Sequence, residues 1–358
     1  MISPLLDGIL RAAVDNGASD VILHSGKPAV LRINGELTPV ESELPSDPDM
    51  DALWSACGAA LDERDRDASL TTESGVRFRV NLLQQLGARG AVLRRIQNQI
   101  PDMDTLGLPC ELLREWAARP SGIVIVCGPT GSGKSTTMAA VLEWINSSMA
   151  RHIVTIEDPV EYLFTEKMSL FTQREVGIDT PTFAEGLRRS LRQNPDVIFL
   201  GEIRDAVSAL TAIQAAETGH LVLATVHAAG CADVVARLEL LFSPEEREAV
   251  RKTLAAQLLG VLCQRLLPAL SGGRSLLCEY FANEGSSRRL IVEGRMNELQ
   301  DLVARGDPRS VRSFGDSLLK LVREGIVAES VALEFSDNPH EFARSLKGIS
   351  SSMQATRR

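Results

Sequence analysis

Gly128–Pro129–Thr130–Gly131–Ser132–Gly133–Lys134–Ser135–Thr136 fits G-x-x-x-x-G-K-S/T, the pattern of a phosphate-binding loop. Before it runs Ile123–Val124–Ile125–Val126–Cys127, a short apolar run without turn residues that reads as a buried parallel strand. After it, Met138, Val141, Leu142 and Ile145 recur at helical spacing. Strand, glycine-rich loop and helix are what phosphate binding needs. The glycines let backbone N–H groups turn inward, and the helix N-terminus adds partial positive charge. Lys134 is placed to reach the β- and γ-phosphates of a nucleotide and Ser135 to ligate Mg²⁺. Nucleotide binding follows, with residues Gly128 to Thr136 as the candidate contacts.

At 358 residues the chain is long enough for about two domains. A hydrophobic content of 44% and a charged content of 24% are those of a soluble globular protein. A formal net charge of −9 argues against a nucleic-acid partner, although a local basic patch stays compatible with it. No apolar run reaches the 18 or so residues of a spanning helix, and Pro4 and Asp7 break up any secretory signal. The six cysteines form no C-x-x-C pair, which excludes the usual zinc-ribbon spacing and fits reduced thiols in a cytoplasm.

In residues 1–97, Leu5, Leu6, Ile9, Leu10 and Ala13 share one face of a helix ended by Asn16–Gly17. Val21–His24, Ala29–Ile33 and Glu36–Val40 read as strands, with Asn34–Gly35 as a hairpin turn between the last two. Pro45, Asp47 and Pro48 open a second helix with Leu53, Trp54, Cys57 and Leu61 inward. Val76, Phe78, Val80 and Leu82 then alternate with Arg77, Arg79 and Asn81, and Ala91–Ile96 is a further strand containing Arg94 and Arg95. The arginines are either a solvated face or a cationic one. This is a small α+β domain, joined by a linker over 98–109 that holds Pro101, Gly107 and Pro109.

Residues 110–270 read as an α/β core. Ile153–Ile156 is a buried strand that delivers Glu157, Asp158 and Glu161, where ligands bind in open α/β sheets. Such carboxylates cap a helix start or polarise water and orient Mg²⁺. Thr182 and Glu185 have capping-box spacing and open a helix with Arg188 and Arg192 one turn apart. Those arginines are either exposed or face phosphate at a subunit boundary. Val197–Leu200 is an apolar strand ending in Gly201–Glu202, a Walker B arrangement with Glu in place of the commoner Asp. Asp205 caps a helix to Glu217, and His220 to His227 form a strand with a histidine near each end, structural or sensing the γ-phosphate. Ser243–Pro244–Glu245–Glu246 starts a helix expected to reach about Leu266, Leu276–Phe281 is a last strand, and 271–358 is mostly helical.

Together these stretches resemble the type II/type IV secretion and pilus ATPases, and among them the PilT-like twitching-motility (retraction) ATPases. Arg77-Phe-Arg-Val-Asn81 resembles the arginine signature of that family's N-terminal PAS-like domain, and 128–136 its Walker A. TIEDPVEY at 155–162 resembles its aspartate box, NPDVIFLGEIRD at 194–205 its atypical Walker B and TGHLVLATVH at 218–227 its histidine box. The resemblance implies a RecA-like P-loop ATPase domain behind a smaller PAS-like α+β domain, with ATP and Mg²⁺ as cofactors. It implies Lys134 and Ser135 on phosphate and Mg²⁺, Glu161 as general base and Glu202 as Walker B acid and metal residue. It also implies His220 and His227 linking nucleotide to the subunit interface, Arg79 and Arg94 supplied to the nucleotide, and Arg188 and Arg192 as interface arginines. The implied assembly is a homo-hexamer in the cytoplasm, peripheral at the inner-membrane face of the pilus machine. Its implied partners are a platform protein and a paralogous ATPase.

Two departures bear on the task of such a motor. The retraction family carries AIRNLI near its C-terminus, whereas Ser286–Ser287–Arg288–Arg289–Leu290–Ile291 keeps only Arg288, Leu290 and Ile291. The chain also lacks the extra N-terminal domain and cysteine cluster common in assembly ATPases, which counts against an extension or export motor. Retraction, an accessory or secretion role, and a nucleotide-gated adaptor with little hydrolysis are the readings to separate.

Overall fold

A computed structural model describes residues 2–347 apart from 34, 61, 97, 98, 308 and 309. The chain divides into two compact units: Met1–Gln99 with Pro159–Leu163, and Ile100–Asp158 with Phe164–Arg358.

In the first unit, α1 (Pro4–Asp15) starts at Ser3, whose hydroxyl accepts the Leu6 N–H, and buries Leu6, Ile9, Leu10 and Ala13. The strands β1 (Asp20–His24), β2 (Val30–Ile33), β3 (Glu36–Pro39), β4 (Asp65–Thr71), β5 (Arg77–Gln85) and β6 (Ala88–Arg95) form one antiparallel sheet in the order β3-β2-β1-β6-β5-β4. Between β3 and β4, α2 (Asp47–Ala56) opens on a reciprocal cap between Ser46 and Asp49 and buries Met50, Leu53 and Trp54. Phe78, Val80 and Leu82 point into the core as the alternation requires, while Arg77, Arg79 and Asn81 face outward. The strand β4 escaped the pattern because its first half, Asp65–Arg66–Asp67, is exposed and charged. Asn34 of the expected turn, Leu61 of the expected inward face and Gln97 at the end of the expected domain lie outside the described residues.

The second unit is an eight-stranded sheet between helical layers. Its elements are α3 (Cys110–Ala117), β7 (Gly122–Cys127), α4 (Lys134–Ser148), β8 (His152–Glu157), β9 (Leu170–Glu175), α5 (Phe183–Ser190), β10 (Val197–Leu200), α6 (Ala206–Glu217), β11 (Leu221–Val226), α7 (Cys231–Glu239), α8 (Pro244–Gln257) and β12 (Leu258–Pro268). They continue with β13 (Arg274–Ala282), α9 (Ser286–Glu293), α10 (Met296–Arg305), β14 (Val311–Arg312), α11 (Phe314–Arg323), α12 (Glu329–Phe335) and α13 (Pro339–Leu346). The order is β14-β13-β12-β7-β11-β10-β8-β9; β12 to β9 run parallel, and β13 and β14 are antiparallel additions.

Both faces of the sheet's centre are covered, which is why β7 and β10 are uninterrupted apolar runs. Ile123 and Ile125 of β7 join the core beneath α5 to α8, and Val124 and Val126 join the one beneath α3 and α4. Met103 and Leu108, in the stretch read as linker, are buried in that second core.

The helix expected to run to Leu266 ends at Gln257, and the following residues are strand β12. A run such as Leu258–Leu262, buried on both faces, fits a core helix and a central strand equally well by pattern. The sheet likewise continues past residue 270 through β13 and β14. At α5 only half of the expected capping box forms. Thr182 accepts the Glu185 N–H, but the Glu185 carboxylate turns to Arg189, whose Nε is 2.7 Å away. All six thiols are free, and burial pushes that of Cys231 up to about 12.

Gly260 shows what holds β12 in place. A Cβ there would run into the indole of Trp116 from α3 and into the carbonyl of Phe281 on β13. Gly260→Ala is expected to cost about 1–3 kcal/mol of stability through overpacking, read as a lowered denaturant midpoint by tryptophan fluorescence. An unchanged midpoint would show that Trp116 moves aside at no cost.

Candidate functional site

The parallel strands send their carboxyl ends to one edge, where open α/β sheets hold ligands. At the end of β7 the chain turns through Gly128 (φ 148°), Gly131 (φ 78°) and Gly133 (φ 90°) into α4. Gly128 is required twice. Its φ is left-handed, and a Cβ would collide with the backbone carbonyl of Gln264 on β12 and with the Ser132 hydroxyl. Gly133 stands at the N-cap of α4 in left-handed conformation, with no side chain of its own to cap the helix. The ammonium of Lys134 reaches across the loop to the carbonyls of Gly128 and Pro129, at 2.9 and 3.0 Å.

This arrangement fits a phosphate group. The Ser132 Oγ is buried with no hydrogen-bond partner among the described residues, an orphan polar atom inside the turn. Among the described residues no three His, Cys, Asp or Glu side chains are grouped to hold a metal ion. Beneath the loop, buried Gln264 donates from Nε2 to the Thr137 hydroxyl at 2.7 Å, tying β12 to the first turn of α4. Nothing in the sequence marks these two as partners, because 127 residues separate them.

On the neighbouring strand ends lies a chain of charges. Glu202, just past β10, has its Oε1 3.4 Å from Nε2 of His227 and its Oε2 2.7 Å from Nε of Arg204. Arg204 in turn places Nη1 3.4 Å from Oδ2 of Asp158, just past β8. Glu202 and His227, two separate candidates of the sequence, are thus brought together, and Arg204 joins them without having been singled out there. Glu157 is buried and accepts the Thr155 hydroxyl at 2.7 Å, a satisfied structural carboxylate.

Other candidates lie elsewhere. His220 stands before the first residue of β11, at the amino edge of the sheet, about 20 Å from the loop by strand rise. Its Nδ1 lies 2.9 Å from the Ala215 carbonyl, so within this chain it makes no contact with the loop as a cofactor-binding residue. Arg188 is exposed on α5, 4.0 Å from Glu185, and Arg192 is exposed just after that helix, so neither is at the loop within this chain. Strands and helices that alternate across a parallel sheet bring only every second turn of chain to the ligand edge.

Glu161 belongs with the first unit, through the segment Pro159–Leu163. There a cleft of about 720 Å³ is lined by Arg79, Arg94, Arg95, Gln99, Glu161 and Tyr162. Arg79 and Arg94 face each other in register on β5 and β6. Arg94 is balanced by Asp20 at 2.8 Å, whereas among the described residues Arg79 has no acidic partner. Like charges opposite one another cost stability, so the pair is easier to explain by an anionic ligand than by folding. In the second unit a cleft of about 570 Å³ opens beside the loop, lined by Leu106, Gly133, Thr136, Leu276, Arg274 and Lys320 among others.

Gly128→Ala is expected to lower stability by about 1–3 kcal/mol and to weaken pyrophosphate binding by at least about tenfold. Thermal unfolding and calorimetric titration measure the two effects. Wild-type binding by the variant would show that the turn tolerates a side chain.

The family model of the type II/IV secretion system proteins matches residues 1–293. The chain is 35% identical to the type IV pilus retractation ATPase PilT of Pseudomonas aeruginosa over 340 residues, covering 93% of this chain and 98% of that protein. It is 34% identical to the type IV pilus ATPase PilU of the same organism, covering 95% and 90%. A crystal structure of the pilus retraction motor PilT with bound ADP superposes with a TM-score of 0.87 at 37% identity, covering 96% of this chain and all of that one. No helix among the described residues is long and apolar enough to cross a membrane. An α/β unit with a phosphate loop at the carboxyl edge of its sheet, preceded in the chain by a smaller unit, agrees with these likenesses, and the chain belongs to the type II/IV secretion-system family of ATPases.

Proposed function

We propose that this chain is a Mg²⁺-dependent ATP hydrolase working as a homo-hexameric motor that retracts or disassembles a type IV pilus from the cytoplasmic side, peripheral to the inner membrane and docked on a platform protein. One observation carries the chemistry: the phosphate loop lies on the same sheet edge as the paired Glu202 and His227. Lys134 then neutralises β- and γ-phosphate charge, and Ser135 and Glu202 hold the metal and its water shell. His227 keeps one oxygen of Glu202 oriented. Glu161 is the general base for the attacking water. Arg79 and Arg94 supply positive charge to the loose transition state, so hydrolysis answers to the position of the N-terminal unit. His220, Arg188 and Arg192, away from the loop of their own chain, are assigned to contacts between neighbouring subunits. Within the domain plan, the chain passes from the first unit to the second after Gln99, and the residues after 270 add β13, β14 and helices α9 to α13 to the second unit.

An accessory role beside a second, paralogous ATPase is favoured by α9. Arg288 donates from Nε to the Ala255 carbonyl at 2.9 Å, and Leu290 and Ile291 are buried. The positions kept from the retraction motif therefore hold the helix in place, whereas Ser286 and Arg289, two of those that differ, are exposed.

Lys134→Ala is expected to abolish ATP binding. Glu161→Gln is expected to keep binding of a non-hydrolysable analogue and to lower turnover by about 10²–10⁴-fold. Wild-type turnover by purified Glu161→Gln rings would remove Glu161 from the mechanism. In cells, deletion of the gene is expected to leave abundant surface pili without twitching. Bald cells would point to assembly, and unchanged pili to the accessory or secretion role.

A further inference from the structure

Arg204 makes more contacts than an exposed arginine on a loop needs for stability. Its side chain is 55% exposed, and exposed ion pairs contribute little to folding. Yet Nε and Nη2 both lie 2.7 Å from Oε2 of Glu202, and Nη1 lies 3.4 Å from Oδ2 of Asp158. The backbone beneath it is fixed. Gly201 N–H donates to the Ile156 carbonyl at 2.8 Å, and Ile203 N–H to the Thr225 carbonyl at 3.0 Å. Arg204 thus starts from a rigid turn between β8 and β11 and reaches back over Glu202.

Each end of this bridge matters separately. Glu202 has two oxygens, and the remaining one faces His227, so Arg204 sets which oxygen turns in which direction. Asp158 is the last residue of the second unit before the chain enters Pro159–Leu163, the segment that carries Glu161 and clusters with the first unit. One guanidinium therefore holds both the carboxylate on the strand end beside the phosphate loop and the root of the segment bearing the candidate base.

We propose that Arg204 is a positioning residue that orients Glu202 toward the metal's water shell and holds Asp158 with the same guanidinium. This rests on the nucleotide reading above. Arg204 touches neither nucleotide nor metal in this role and acts through the two carboxylates. A lysine, a point charge without the planar fork, keeps only part of it.

The test is binding of a fluorescent ATP analogue with and without metal, alongside turnover as a function of Mg²⁺, in full-length wild type, Arg204→Gln and Arg204→Lys. In EDTA, Arg204→Gln is expected to bind the analogue within about twofold of wild type, because the phosphate loop is intact. The Mg²⁺ concentration giving half-maximal effect should rise about tenfold or more, with Arg204→Lys in between. Arg204→Gln with Asp158→Asn should be no worse than Arg204→Gln alone, since one bridge is lost in both. Circular dichroism confirms that the variants fold, and Arg204→Lys carries the test should Arg204→Gln not fold. A folded Arg204→Gln protein with the wild-type Mg²⁺ response overturns the assignment. A wild type that binds no analogue with or without Mg²⁺ instead overturns the nucleotide reading.

Discussion

Gly128 lies so close to the Gln264 carbonyl that no side chain fits between them, and this contact fixes the phosphate loop to β12. A loop that continued only from β7 could splay away from the sheet. Here the Gln264 backbone blocks one side, while its side-chain amide reaches under the loop to Thr137 in α4. Strand β12 thereby supports both the start and the end of the turn. Its own position depends on Gly260 admitting Trp116. Loop, strand and helix α3 form one chain of close contacts, and interiors packed at this density transmit displacement with little loss.

The parallel sheet then supplies the rest of the site by direction alone. Because β7, β11, β10 and β8 run the same way, Gly128, His227, Glu202 and Asp158 arrive at a common edge although they are spread over 128–227 of the chain. The charges that meet there balance locally. Glu202 sits between His227 and Arg204, and Arg204 between Glu202 and Asp158. In partly buried surroundings such alternation keeps each carboxylate from being left without a counter-charge.

Much of this was legible in the residues. The loop, the apolar strand before it and the carboxylate after β10 follow from local spacing, and so does the inward set Phe78, Val80 and Leu82 with its outward arginines. What failed had physical causes. Strand β12 looked helical because burial on both faces removes the alternation that distinguishes a strand. The Gln264–Thr137 pair joins residues too distant in sequence for any pattern to link. The placement of His220 was, in contrast, deducible: a residue at the start of a parallel strand lies on the edge opposite the phosphate loop, whichever motif it belongs to.

The segment Pro159–Leu163 makes the boundary between the units a property of three dimensions rather than of one dividing point. The polypeptide crosses between units after Gln99, after Asp158 and again after Leu163. A single cut near residue 100 would sever one of three covalent crossings, leaving the N-terminal fragment without five residues that belong to its fold and the larger fragment carrying them as an internal loop. Recombination or fragment complementation at that junction therefore exchanges an incomplete module.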